Sequence, residues 1–570
     1  MVRPQTRITR LIVLSSCLSP SHHHPNTQHV ITSNKSSAMS FHAERRVVLS
    51  AEATRAGQEA VRKVSRLGTE GNVSTFRDLA RGVDISTVNS ALRLSLDPTT
   101  ISHLTKNGSA VIKGCVYLMR AAATKDSKFA SAFDFEYGYN CFRLLVATFN
   151  LCLLERSNKL GEALKTYATQ PDTDMHTVIS VALSSVIENQ VKFLTTGCDS
   201  DSIFGWSLST GRSRQSPLLT QVDTLVLLNL IWDLRKNYLQ AMLSTPPPAL
   251  SGLIFLFLRS ISEQHSPKVP DRELLKLKLN ELALRYLLIG EDHWNQHETM
   301  GEILGEIDSA DHLWGKAPKY VDTEDSRCIL QAFINTVCRS KRSKKVFAMK
   351  TPYILMRLIV LSVESRAQDL LPDVMQLSID YTWDMVLFLK GQEGTGPLVR
   401  GMFSSFGIIF NPTHDRPYRL TRHIQGVLNA MHKEDLLDLA AVVIAGLKPD
   451  LRWSLQSEDN ISTLQYLLTF FTLLNKIIPT DRLASCFQDY VLDWWKFTQY
   501  MHVNAYGFTI IQLHKTLGLN RLLKRIVLHV RVTIADAQHS LRIIMFIKAL
   551  NTDAQIVTKN GCIAVIVAKQ

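Results

Sequence analysis

The chain lacks the features by which membrane proteins and common enzymes are first recognised. Its longest uncharged stretch in the body, Asn237 to Leu258, is cut by Pro246, Pro247 and Pro248, whereas a spanning helix needs roughly 20 apolar residues in a row. Asn460 to Asn475 (NISTLQYLLTFFTLLN) is shorter still. The nine cysteines are odd in number, scattered, and never spaced C-x-x-C, which excludes a zinc ribbon or a thioredoxin-type pair. Cys141 and Cys152 lie in the run CFRLLVATFNLCLL, where a thiol behaves as a small buried hydrophobe; a reducing compartment is expected. No G-x-S-x-G or H-E-x-x-H pattern and no paired carboxylates stand out, and these are the spacings that common hydrolases need. Gly391, Gly394 and Gly396 hint at a phosphate cradle, but Pro397 stands where such a loop requires Lys and then Ser or Thr.

Acidic residues are missing from residues 1–38, where Arg3, Arg7 and Arg10 precede LIVLSSCL. That segment reads as a secretory signal, a mitochondrial transit peptide, a disordered tail, or an extension ahead of a start at Met39. The formal charge of +13 is confined to the ends: residues 1–66 and 515–570 carry +7 each, leaving −1 for everything between. The body as a whole is therefore neutral, and any contact with nucleic acid or an anionic membrane is expected through the termini.

What the chain does have is helical periodicity. Ser216 to Gly290 reads as three helices separated by prolines. Ser216-Pro217 offers an N-cap with a proline at the first helical position, and LVLLNLIW (225–232) is apolar enough to be buried on every side. LIFLFL (253–258) forms the second helix, and the third runs from Pro267 and Pro270 to Gly290. At 100° per residue its apolar positions fall into two stripes, Leu275/Leu279/Leu282/Tyr286/Ile289 and Leu274/Leu277/Leu284/Leu288, with Lys278 and Arg285 between them. A helix patterned in this way touches neighbours on two flanks.

From Phe41 to about Asn520 nearly every segment reads helical. Starts are marked by Asp97-Pro98, Thr351-Pro352 and Pro449-Asp450, and stops by Asn107-Gly108 and Gly446. In this long run of amphipathic helices with proline breaks, the body resembles the armadillo and HEAT class of α-solenoids, although no fixed repeat period is present. The resemblance implies a scaffold with a concave binding surface and assigns no residue a role. The expected fold class is thus all-α, an irregular helical-repeat array. Its expected divisions are an extension (1–40), a helical block (41–390), a Gly/Pro-rich loop or boundary (391–417), a second block (418–525) and a tail (526–570). In the tail, 528–534 alternate at the strand period, and Asn560-Gly561 between QIVTK and CIAVIVAK is a typical two-residue hairpin turn.

The candidate sites are few. His293 and His297 stand one helical turn apart with Glu298 beside them, a metal-ligand spacing, but Gly301 occupies the position where a zincin helix has its second histidine. Arg339, Lys341, Arg342, Lys344 and Lys345 match a basic nuclear-import tag, a phosphate-contacting patch, or a solvated loop between helices. Asp172/Asp174 and Asp199/Asp201 read as turn residues at helix entries. Phe487, Tyr490, Trp494, Trp495, Phe497 and Tyr500 read as core or as a partner-binding groove. The expectation is a non-enzymatic scaffold binding protein partners in the cytoplasm or nucleus, without a cofactor. The alternatives are an α-helical enzyme whose acid and base come from distant helices, and an adaptor acting through the basic termini.

Overall fold

A computed structural model describes residues 47–69, 80, 82–123, 136–170, 173–197, 199–206, 216–245, 247–262, 271–289, 294–307, 321–343, 351–389, 395–410, 423–446, 455–490, 555–559 and 562–566. Among these the chain is all-α, with twenty α-helices and one isolated two-stranded ribbon.

The N-terminal helices are α1 (Ala51–Thr69), α2 (Ile85–Arg93), the single turn α3 (Ser102–Thr105), α4 (Gly108–Ala123) and α5 (Glu136–Arg156). Here α4 lies between α1 and α5, and α2 touches both α1 and α5. Next come α6 (Leu160–Thr169), α7 (Met175–Thr196), α8 (Gln221–Asp233), α9 (Arg235–Ser244), α10 (Ser251–Ile261), α11 (Arg272–Leu287) and α12 (Trp294–Glu306). The remainder is α13 (Thr323–Ser343), α14 (Thr351–Ser362), α15 (Leu371–Phe388), α16 (Thr395–Phe410), α17 (Ile424–Lys433), α18 (Leu436–Gly446), α19 (Leu455–Ile477) and α20 (Thr480–Phe487). Packing proceeds in series: α5 meets α7, α7 meets α10 and α12, α10 meets α11, α11 meets α14, α14 meets α16, and α16 meets α19. The buried apolar side chains form one continuous cluster from Ala60 to Tyr490.

Local chemistry sets the helix ends. Asp84 and Asp174 cap α2 and α7 by accepting the amides of Thr87 and Thr177, each at 2.8 Å, so Asp174 is the helix-entry residue the sequence suggests. The helix α7 stops at Gly197, which takes the left-handed conformation at φ 71°. Thr351-Pro352 opens α14 and Gly446 ends α18, as the pattern predicts. Ser216-Pro217 does not open α8. Thr220 is the cap, accepting the Asp223 amide at 3.1 Å, while the Ser216 carbonyl receives Arg156. Likewise Asn107-Gly108 is not only a stop, because Gly108 is the first residue of α4.

The helix α11 is buried on both flanks, as its two stripes require, except that Leu274 is exposed. By contrast LVLLNLIW is not buried all round: Leu225, Val226 and Leu230 are half-buried, although α8 packs against α4, α9, α10 and α11. The largest departure is α16, which occupies 395–410 inside the stretch expected as a loop. An interior glycine costs a helix about 1 kcal/mol, but Gly401 is needed: a Cβ there would lie 1.9 Å from Tyr353 Cε2 on α14. Phe403, Phe406 and Phe410 pack edge-on or tilted against Phe470 on α19, with ring centroids 5.4–6.3 Å away. Such ring pairs contribute about 0.5–1.5 kcal/mol each beyond their area, which outweighs the glycine.

The ribbon pairs β1 (Gln555–Lys559) antiparallel with β2 (Cys562–Ile566), Lys559 facing Cys562, in the register expected with Asn560-Gly561 between the strands. The alternating run 528–534, the aromatics from Trp494 to Tyr500 and residues 1–46 lie outside the described residues.

In the last turn of α11 sits Arg285, fully buried. Its guanidinium donates to both oxygens of Asp325 at 2.7 Å and to Glu281 Oε1 at 2.9 Å, and Arg235 Nε reaches the same Glu281 oxygen at 3.1 Å. Burial would lower the Arg285 pKa, but Asp325 and Glu281 outweigh it and hold the cation firmly charged. Removing one partner strands an uncompensated charge. Arg285→Met is therefore expected to destabilise the protein by about 3–5 kcal/mol, read as a shift in the urea midpoint. Lys236→Ala, which removes the more exposed pair to Asp322, is expected to cost no more than about 1 kcal/mol.

Candidate functional site

A cavity of about 270 Å³ opens where α2, α5 and α7 meet the chain entering α10. From α2 it takes Asn89, Leu92 and Arg93; from α5, Arg143, Ala147, Asn150 and Leu151; from α7, Met175, His176 and Ile179. Ser95, Leu96, Pro248 and Ala249 complete the lining. Positions 143, 147, 150 and 151 share one face of α5 because they follow the i, i+4, i+7, i+8 spacing of a helix.

The polar content of this site is specific. Asn150 is 3% exposed, and its Nδ2 donates to the Ala249 carbonyl at 2.8 Å. A carbonyl opposite the amide requires a donor, so the side-chain orientation is fixed. The other amide atom, Oδ1, is buried without a hydrogen-bond partner. Leaving such an acceptor unmet costs about 1–3 kcal/mol. Arg93 is exposed and Arg143 half-buried, and among the described residues no carboxylate forms an ion pair with either.

Ser95 and Leu96 are held at the cavity by the turn that follows α2. Asp97 is buried there, accepting the Leu49 amide at 2.9 Å and the Thr99 amide and hydroxyl at 2.9 and 2.7 Å. Thr100 donates its hydroxyl to the Leu94 carbonyl at 2.9 Å. Burial raises the Asp97 pKa, but the three donated bonds outweigh it and hold the carboxyl below its ordinary value.

A second cavity of about 570 Å³ lies at the start of α4, lined by Lys106, Asn107, Glu155 and Arg156 among others. Two of its charged groups, Arg156 and Glu155, are already engaged. Arg156 donates to the carbonyls of Ile203 and Ser216 at 3.1 and 2.6 Å, and Glu155 accepts from Thr105 at 3.2 Å. The smaller cavity, with two arginines among its lining residues, is the stronger site.

The residues singled out by sequence fare differently. His297 is not turned towards a metal: it is 5% exposed, its Nε2–H donates to the Ile289 carbonyl at 3.0 Å, and its ring meets Tyr286 edge-on. Glu298 points to solvent on the adjacent face of α12, its carboxyl held above the ordinary range by partial burial and by the charge of Glu188. His293 lies outside the described residues, and among those described no group of three His, Cys, Asp or Glu side chains is placed to hold an ion. The first part of the basic run is helical and not a loop. Arg339, Lys341 and Arg342 belong to the last turns of α13, which ends at Ser343, and Lys344 and Lys345 fall outside the described residues. Asp201 is more than a turn residue, since it is buried in a bidentate pair with Arg259 at 2.7 and 2.8 Å. Phe487 and Tyr490 are core, and Tyr490 donates to Asp435 Oδ1 at 2.6 Å. Cys141 and Cys152 are buried free thiols, pushed up to about 12 by burial.

Sequence reasoning missed the cavity. Arg93 and Asn150 lie on different helices, and no spacing rule joins them before the fold is known. It also read Arg285 only as lying between the two apolar stripes; the missed signal was Glu281 four positions before it on a helix whose two flanks are both apolar. No helix among the described residues is long and apolar enough to cross a membrane. No family model, curated protein or solved structure matches the chain. What stands established is an all-α protein with a lined cavity near its N-terminal end.

Asp97→Asn tests how that cavity wall is held. A carboxyl whose folded pKa is depressed adds stability above its unfolded value, near 3.9, and loses it as pH falls through the folded value. The variant is expected to be less stable by about 1–3 kcal/mol at pH 7, with the gap to the parent protein closing below pH 4. A gap that stays constant down to pH 2 would contradict the assignment.

Proposed function

We propose that the chain is a non-enzymatic helical scaffold of the armadillo/HEAT-like kind, binding protein partners through the surface of its stack. The observation that carries this reading is the serial packing of helices around α11. Each helix finds its neighbours among those close to it in the chain, and the internal helix is buried on two flanks and braced by Arg235, Glu281, Arg285 and Asp325. A stack of this kind buries its apolar surface locally and leaves long faces open to partners.

The test uses the full chain as bait at low and high salt, with cross-linking of whatever is retained. Retention of a defined partner, cross-linked within 47–490 and surviving about 0.5 M salt, where exposed charge contacts are largely screened, is the expected result. Retention that vanishes steeply with salt and requires residues 1–66 or 515–570 would transfer the function to the basic termini. Turnover of a small substrate with no defined partner would overturn the scaffold reading.

The basic run belongs to the same proposal, because a nuclear scaffold needs an import signal. Changing Lys341, Arg342, Lys344 and Lys345 together to Ala is expected to shift a fluorescent fusion from the nucleus to the cytoplasm. An unchanged distribution removes the import role.

A further inference from the structure

Among the described residues, Ser216, Thr245 and Thr351 are hydroxyl side chains that precede a proline. Thr351 is buried at the start of α14, and Thr245 commits its hydroxyl to the Ala241 carbonyl at 2.7 Å. Ser216 and Pro217 are exposed, and among the described residues the Ser216 hydroxyl has no partner. The backbone beside that hydroxyl is nevertheless clamped. Arg156 Nη2 donates to the Ser216 carbonyl at 2.6 Å, and Ser109 in the first turn of α4 donates its hydroxyl to the Pro217 carbonyl at 2.8 Å. Ser216 thus lines the cavity of about 570 Å³ together with Lys106, Asn107 and Arg156. The lining sets two cations against one carboxylate, Glu155, which already accepts from Thr105. Arg156 is half-buried and among the described residues forms no ion pair. Burial lowers its pKa below the ordinary arginine value. At Arg285 two carboxylates answer the same cost; at Arg156 two carbonyls do.

We propose that Ser216 is a phosphorylation site for a proline-directed protein kinase, and that the cavity at the start of α4 receives the phosphoserine. A proline after the acceptor has no amide to donate, which is the feature such kinases select. The Ser216 Oγ attacks the terminal phosphorus of a nucleoside triphosphate. The Oγ–P bond forms, the bond to the diphosphate oxygen breaks, the nucleoside diphosphate leaves, and the hydroxyl proton passes to the base of the kinase. By covalent geometry a serine Oγ lies within about 5 Å of its own carbonyl oxygen, so the Arg156 guanidinium already stands within reach of a phosphoryl group on Ser216. That group carries about −1.5 to −2 charges at pH 7 and makes charge-assisted hydrogen bonds to arginine. It straps the segment that leads into α8 to α4 and α5. This mark is independent of the scaffold reading, which concerns the outer faces of the stack.

The experiment incubates the full chain with a purified proline-directed kinase and magnesium ATP, locates the phosphate by mass spectrometry, and titrates it by phosphorus NMR. Phosphorylation at Ser216 is expected, and its loss in Ser216→Ala. In the folded chain the second pKa of that phosphate is expected to fall from about 6 to about 5, because the Arg156 cation favours the dianion. Unfolding the phosphorylated chain in urea, or changing Arg156→Gln, is expected to return it to about 6. Should Arg156→Gln fail to fold, the comparison between native and urea-unfolded parent chain carries the test. A Ser216 that the kinase leaves unmodified overturns the proposal, and so does a phosphoserine whose pKa is the same in the folded and unfolded chain. Calorimetric titration of the unmodified chain with inorganic phosphate separates the two sources of the anion: no saturable binding is expected. Saturable binding there, with Ser216 untouched by the kinase, overturns the modification and makes the cavity a site for free phosphate.

Discussion

A single buried cation organises the middle of the molecule. Arg285 lies in the last turn of α11 with no exposed surface, and a guanidinium there is tolerable only if carboxylates come to it. Glu281 arrives from one turn away on the same helix, and Asp325 is delivered by the first turn of α13. Asp325 is fixed in turn by its own amide, which donates to Asp322 Oδ1 at 2.8 Å. Arg235 at the start of α9 closes the set, its guanidinium 4.3 Å from the Trp232 ring and its Nε on Glu281. Two cations and two anions thus share one dry volume, and their geometry fixes how α9, α11 and α13 sit against one another. The net gain over an apolar core of the same shape is small, since desolvation offsets most of the attraction. What the network contributes is register: a helix slipped by one turn would bury Arg285 without Asp325.

That constraint shapes where function can reside. A helix with both flanks buried has no face left for chemistry, and the polar groups it does carry are consumed in holding its neighbours. The same holds along the stack. Gln296 on α12 bridges the Ser251 amide, the Ser180 carbonyl and the Ser184 hydroxyl, and Thr336 on α13 donates to the Leu288 carbonyl. Any binding is therefore displaced to the outer faces and to places where the packing leaves space, the cavity between α2, α5 and α7 and the larger one at the start of α4 among them.

Much of the fold was legible in the sequence, for reasons that differ between elements. The two stripes of α11 predicted two neighbours because helical periodicity is a local property, and Thr351-Pro352 predicted a start because a proline at the first turn gives up no hydrogen bond. The hairpin at 555–566 followed from Asn-Gly alone. The helix over 395–410 was not legible, because its glycines signal a loop unless one knows that Tyr353 stands against Gly401 and that Phe470 waits on α19 for three phenylalanines. His297 looked like a ligand because sequence spacing shows which residues share a face and not what that face meets; here it meets the Ile289 carbonyl. The cavity was invisible for a related reason. Its residues come from four separate segments, and only the fold brings them together.

The contrast between Arg285 and Asn150 separates structure from site in this molecule. Both are buried polar side chains in helices of the stack, so both carry a desolvation penalty that the fold must offset. At Arg285 every strong hydrogen-bonding direction is answered by a carboxylate from the chain itself, and such a group serves stability and register. At Asn150 one half of the amide is answered and the other is not, and the nearest potential donor position is held by a glycine. The hydroxyl of Ser251, one residue earlier and also buried, lacks a partner as well. Native chains leave few such groups unmet, so the half-answered amide at Asn150 carries a cost that the fully answered guanidinium at Arg285 does not.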